Sequence, residues 1–85
     1  MARSNREQRL VSEQQTAEIL RQRRKARGIS QRDLASKLGV QQARLSLFES
    51  GQAHLTLERL IAIARVLDLD VVLRERPSKP SAAEW

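Results

Sequence analysis

An all-α fold of four to five short helices, plus one C-terminal strand, is predicted by three features of this 85-residue chain. Gly28, Gly39 and Gly51 each follow a run with helical periodicity, where a left-handed residue ends a helix without the penalty of a Cβ. Ser12, Ser30 and Thr56 stand at the starts of such runs, as N-cap residues do. Beyond them Leu69, Val71 and Leu73 alternate with Asp70, Val72 and Arg74, which is the period of a strand.

Residues 1–11 carry Arg3, Arg6 and Arg9 with no apolar period, so a flexible basic arm is expected, either a solvated tail or an added binding contact. Ser12 and Gln15 have the spacing of a capping box and open a helix that runs to about residue 27. Ala17, Leu20 and the downstream Ile29 bury its apolar side, and Arg23 packs its stem while its guanidinium snorkels outward. The second helix starts at Gln31. Ser30 caps it, and Asp33 places a carboxylate where the helix dipole is positive. Leu34, Ala35 and Leu38 share its inner face, with Ala35 small enough for another helix to cross closely.

Gly39 turns the chain and Val40 packs down. A third helix then spans roughly 41–50, and on a 100° wheel Leu45 and Phe48 face inward while Ala43, Ser46, Leu47 and Ser50 face outward. Two short helices joined by this tight turn, the second showing an uncharged outer face, make a helix-turn-helix; an ordinary αα-hairpin is the alternative. After Gly51, Thr56 caps a fourth helix and Leu55 is placed to staple onto Leu60. Its buried stripe is expected to be Leu57, Leu60, Ile61, Ala64 and Leu67, ending near Asp68. The strand that follows has no second strand to pair with, so Leu69, Val71, Val72, Leu73 and Arg74 are expected to pair with the same segment of another copy across a two-fold axis. Pro77 and Pro80 stop the sheet. The organisation is thus a 1–11 arm, a 12–75 domain and a disordered 76–85 tail.

Sixteen Lys and Arg against ten Asp and Glu leave a net charge of +6, which favours a polyanionic partner without identifying it. With no Cys and a single His54, disulfides and metal clusters are not expected, and no cofactor is implied. No nucleophile with a paired base and no phosphate-cradling Gly loop suggests an enzyme. There is no apolar run near the roughly 20 residues of a membrane span and no signal-peptide core, so a cytoplasmic protein with no membrane partner is expected.

The third helix therefore suits the DNA major groove. Gln42 can hydrogen-bond adenine bidentately, Ala43 can meet a thymine methyl, and Leu47 lies on the same outer face. Gln31 at a helix N-terminus, with Arg44 and Ser46 at the edges of that face, suit phosphates.

With Gln31, Ala35, Gly39 and Leu45 at its signature positions, residues 19–69 resemble the phage-repressor/Cro-like helix-turn-helix family. GVQQARLSLFE, the strand-like LDVVLRE and a polar tail ending in Glu84 and Trp85 are similar to HipB antitoxins. That resemblance implies a homodimer on an inverted-repeat operator, an autoregulated toxin–antitoxin operon, and a HipA-type serine/threonine kinase toxin as partner. It also implies base contacts by Arg32 and Gln41, phosphate approach by Gln52 and His54, for which a plain surface loop is the alternative, and a structural ion pair of Arg24 with Glu49, which falls beside Leu45 on the wheel. Trp85 is either a toxin-binding anchor together with Glu84 or an accidental exposed terminus. A stand-alone regulator with no toxin partner is the alternative reading, and a protein-binding adaptor the third.

Overall fold

Ser12 opens the first helix by accepting a hydrogen bond from the Gln15 amide at 3.0 Å. The Gln15 side chain reaches one residue further back than a capping box requires: its Oε1 accepts from the Val11 amide at 2.9 Å, and its Nε2 donates to the Arg9 carbonyl at 2.9 Å. Ser30 and Thr56 cap later helices in the same way, accepting from the amides of Asp33 and Arg59. The resulting elements are α1 (Glu13–Ala26), α2 (Gln31–Leu38), α3 (Gln42–Glu49) and α4 (Leu57–Val66), in a computed structural model that describes residues 7–77. No helix among the described residues is long and apolar enough to cross a membrane.

All four helices end on one device. Gly28, Gly39, Gly51 and Asp68 take positive φ, and the amide of the residue after each reaches back to the preceding helix: Ile29 to Arg24, Val40 to Ala35, Gln52 to Leu47 and Leu69 to Ala64. These are Schellman endings, which satisfy carbonyls that the helix itself leaves orphaned. Asp68 is the non-glycine among them, at φ 62°.

α3 packs against α1 and α2, and α4 packs against α2. Leu20, Leu34, Ala35, Leu45, Phe48, Ile63 and Leu67 form one core, with Ile29, Val40, Leu55 and Leu60 half-buried around it. Ala35 is 2% exposed at the crossing, where a larger side chain would hold the helices apart.

One expectation needs correction. α4 turns its Leu60, Ile63, Ala64 and Leu67 side to the core, not a stripe containing Leu57 and Ile61; those two are 67% and 39% exposed, while Ile63 is 2% exposed. The segment LERLIAIARVL is apolar on several sides, so its periodicity cannot choose a face; packing on α2 chooses it. Leu69, Val71, Val72, Leu73 and Arg74 are expected to pair only with another copy. Among the described residues of the single chain there is no strand, because an edge with no second backbone has no ladder to form. Leu69 is half-buried, and the rest of this segment is exposed.

Candidate nucleic-acid interface

α3 begins at Gln42, with Gln41 as its N-cap residue in extended conformation and no side-chain cap bond. Leu45, Phe48 and Glu49 turn inward, and the opposite side exposes Gln42, Ala43, Ser46, Leu47 and Ser50. A face of small and uncharged side chains beside polar amides at the N-terminal end can reach base edges without forcing an unpaired charge into the groove. Arg44 is the cation on this helix, and it lies over the Phe48 ring at 5.3 Å from the centroid. Stacking holds the guanidinium at the flank of the exposed face.

Behind that face lies a buried ion pair. Arg24 on α1 donates to Glu49 through Nε at 2.7 Å and a terminal nitrogen at 3.0 Å, and its third donor goes to the Ile29 carbonyl at 2.8 Å. Their side chains are 10% and 5% exposed. The two-point geometry satisfies both charges where water does not reach them. Gln31, the first residue of α2, also donates to Glu49 at 3.1 Å, and its side-chain Oε1 accepts from Gln42 Nε2 at 3.4 Å. A line of polar contacts thus runs from α1 through the end of α3 and the start of α2 to Gln42. Gln42 keeps its Oε1 free for a ligand, and Gln31 keeps one amide hydrogen.

Arg32 is exposed at the start of α2, in the first turn beside Gln31. Gln52 and His54 are exposed in the loop between α3 and α4. His54 is not free of the protein: its Nδ1 lies 3.0 Å from a Glu13 carboxylate oxygen, and the Leu55 amide donates to the other oxygen at 2.6 Å. The Leu55 amide first, and the His54 ring second, hold the Glu13 carboxyl below its ordinary 4.5. The ionised carboxylate can only accept, which assigns the proton to Nδ1 and turns Nε2 outward. Sequence reasoning missed this contact, since Glu13 in a first turn reads as a helix-dipole residue and its partners lie 41 and 42 positions away. The Arg44–Phe48 stack had a visible i, i+4 signal; the Gln31–Glu49 bond had none. Glu84 and Trp85 lie outside the described residues.

The family described as Helix-turn-helix (HTH_3) matches residues 20–73, more than half of the chain. The chain therefore belongs to the helix-turn-helix family of DNA-binding transcription regulators, in its phage-repressor (XRE) type. Within it the chain is HipB-like: it is 32% identical over 78 residues to Antitoxin HipB of Escherichia coli, covering 91% of this chain and 83% of that protein. It is also 37% identical over 62 residues to an uncharacterized HTH-type transcriptional regulator, y4dL, of Sinorhizobium fredii. That match covers 73% of this chain but only 32% of the relative, so the chain spans about a third of y4dL. Among solved structures, a HipB complex with an O2 20-mer superposes with a TM-score of 0.74 at 30% identity, covering 85% of this chain and all of that one. A HipA–HipB–O2–O3 complex gives 0.71 at 31% identity, covering 82% and 99%. The restriction-modification controller protein C.AhdI of Aeromonas hydrophila gives 0.61 at 31%, covering 65% and 83%.

Proposed function

We propose that this protein is an operator-binding antitoxin that represses its own toxin–antitoxin operon and binds a HipA-type serine/threonine kinase. The observation that carries the DNA half is the exposed, uncharged face of α3, with Gln42 hydrogen-bonded to Gln31 at its N-terminal end. Gln41, Gln42, Ala43 and Leu47 of that helix, with Arg32 of α2, read base edges. Gln31, Arg44, Ser46, Gln52 and His54 hold phosphates on either side. The protein acts as a homodimer on an inverted repeat, its 69–74 segments paired across the two-fold axis. Support for the toxin half is the similarity to HipB over 91% of this chain, and a HipA–HipB assembly among the matching structures.

The tail serves the toxin and not the operator. Trp85, a large aromatic at the end of a polar segment, is the residue type that anchors an interface when a partner groove buries it. Deleting Glu84 and Trp85 is expected to weaken kinase binding and leave operator affinity nearly unchanged. Calorimetry showing equal kinase affinity with and without them would remove the anchor. Gln42→Ala tests the DNA half: it is expected to cost about 1–3 kcal/mol on the preferred site and little on random duplex. Equal loss on both, measured by fluorescence anisotropy, would mean that Gln42 only positions the backbone. The similarity to y4dL, a transcriptional regulator by name, favours a second reading in which the same domain regulates transcription with no toxin. Absence of kinase binding in that calorimetry would select it.

A further inference from the structure

Glu13, in the first turn of α1, crosses to the loop between α3 and α4 and holds it at two points. One carboxylate oxygen accepts from the Leu55 amide at 2.6 Å, and the other lies 3.0 Å from His54 Nδ1. The His54 side chain is otherwise 96% exposed, so its Nε2 faces outward. We infer that His54 holds a DNA phosphate only as an imidazolium clamped between that phosphate and the Glu13 carboxylate. Operator binding then takes up a proton at this loop, and Glu13 is the positioning residue that makes the proton necessary. The inference deepens the phosphate contact given to His54 above and rests on it.

The count of donors carries it. A neutral imidazole has one N–H and one lone pair, whereas the carboxylate and the phosphate are anions that can only accept. With its proton on Nδ1 the ring satisfies Glu13 and turns a lone pair to the phosphate. With its proton on Nε2 it satisfies the phosphate and turns a lone pair to a carboxylate oxygen 3.0 Å away. Either tautomer sets a lone pair against an anion, and only the doubly protonated ring donates to both. Histidine is the side chain able to take that proton near neutral pH. The Glu13 carboxyl, held below its ordinary 4.5 by the Leu55 amide first and the ring second, stays ionised throughout that range. The other charged groups on the elements around the loop are engaged elsewhere or withdrawn: Glu49 pairs with Arg24, Arg44 lies over Phe48, Glu58 shares a groove with Lys37 and Arg65, and Arg59 is half-buried. Among the described residues, Glu13 is the acidic group within ion-pair distance of the ring. His54 is the chain's single histidine and there is no cysteine, so no other side chain of ordinary pKa changes charge between about pH 6 and pH 8. The complex holds more protons than its separated parts, so affinity rises as pH falls.

The test uses the full chain and a duplex that it has itself selected from a random-sequence pool. Affinity is measured by fluorescence anisotropy between about pH 6 and pH 8 at fixed salt, and proton uptake by calorimetry in two buffers of different ionisation enthalpy. The parent is expected to bind about tenfold more tightly at the acid end, taking up part of a proton per protomer. His54→Gln is expected to abolish both effects. Glu13→Gln separates positioning from mere loop structure. Its amide can donate to Nδ1, which frees the single N–H of a neutral ring for the phosphate, so binding at the alkaline end is expected to be about threefold tighter than the parent's and nearly flat with pH. A carboxylate that only shaped the loop would, when replaced, weaken binding at every pH. A parent with pH-independent affinity and no proton uptake would overturn the inference and leave the DNA reading standing. Uptake that survives in His54→Gln, or a Glu13→Gln variant that keeps the parent's pH response, would overturn it equally. A parent that binds no duplex would overturn both readings.

Discussion

Arg24 sits where a charge is costly, and each of its three guanidinium nitrogens donates to protein. Breaking a buried pair from one side is worse than never having it, because the remaining charge stays in a low-dielectric setting with fewer partners. Arg24→Ala is therefore expected to destabilise the domain by about 3 kcal/mol or more, read as a lower urea midpoint. Replacing Arg24 and Glu49 together by Met and Leu is expected to cost clearly less, since no charge is then stranded. A double variant as unstable as the single would show that the arginine's packing and its bond to the Ile29 carbonyl matter more than charge. Glu13 makes a surface counterpart. Its carboxyl is held below the ordinary value, so its contribution to the 54–55 loop is present above that value and is lost as pH falls through the lowered one. Exchange of the Leu55 amide, once corrected for intrinsic pH dependence, should lose protection on that acid side, and Glu13→Gln should lack the step. At this scale the sequence was legible where a charge fell on an apolar arc, as Glu49 does beside Leu45. It was silent where a surface carboxylate crosses to a distant loop.

The four helix ends show what a single backbone angle controls. A Cβ built on Gly39 would meet nothing within 4 Å, so the φ of 73° alone resists substitution. Gly39→Ala is thus expected to cost about 1 kcal/mol, and Gly39→Asn less, because Asn tolerates the left-handed region better. A thermal midpoint for Gly39→Ala equal to the parent's would mean that the turn adopts another conformation. Gly51 differs: its added Cβ would touch the Gln14 side chain at 3.4 Å, so strain and contact act together there. Helix starts and stops were legible because Ser, Thr and Gly act through the backbone near them. The face of α4 was not, since Leu57, Leu60, Ile61, Ile63, Ala64, Val66 and Leu67 spread apolar surface over most of its circumference. Packing against α2 and the rest of the core decides which part of that surface is buried, and a sequence does not display its neighbours.

For the molecule as a whole, the +6 charge and the proposed dimer make one joint statement about how binding depends on salt. Each phosphate neutralised releases condensed counterions, so log K falls with log salt by about 0.9 per contact. The phosphate contacts proposed for Gln31, Ser46 and Gln52 are neutral and would anchor without steepening that slope, whereas Arg44 and neighbouring cations would set it. In a two-fold complex each protomer supplies the same cations to its own half-site, and the slope counts both. Val72→Pro removes a strand N–H and is expected to give monomers. A monomer on one half-site should therefore show about half the parent's slope, together with a weaker affinity at every salt concentration. Recognition helices held by the dimer should also reach successive major grooves about 34 Å apart, so lengthening the spacer of the inverted repeat by half a turn should reduce affinity for the parent but not for the monomeric variant. The two measurements must agree. A halved slope with no spacer sensitivity in the parent would mean independent binding by two monomers, and a flat salt response in the parent would contradict phosphate contact by the charged edge of α3.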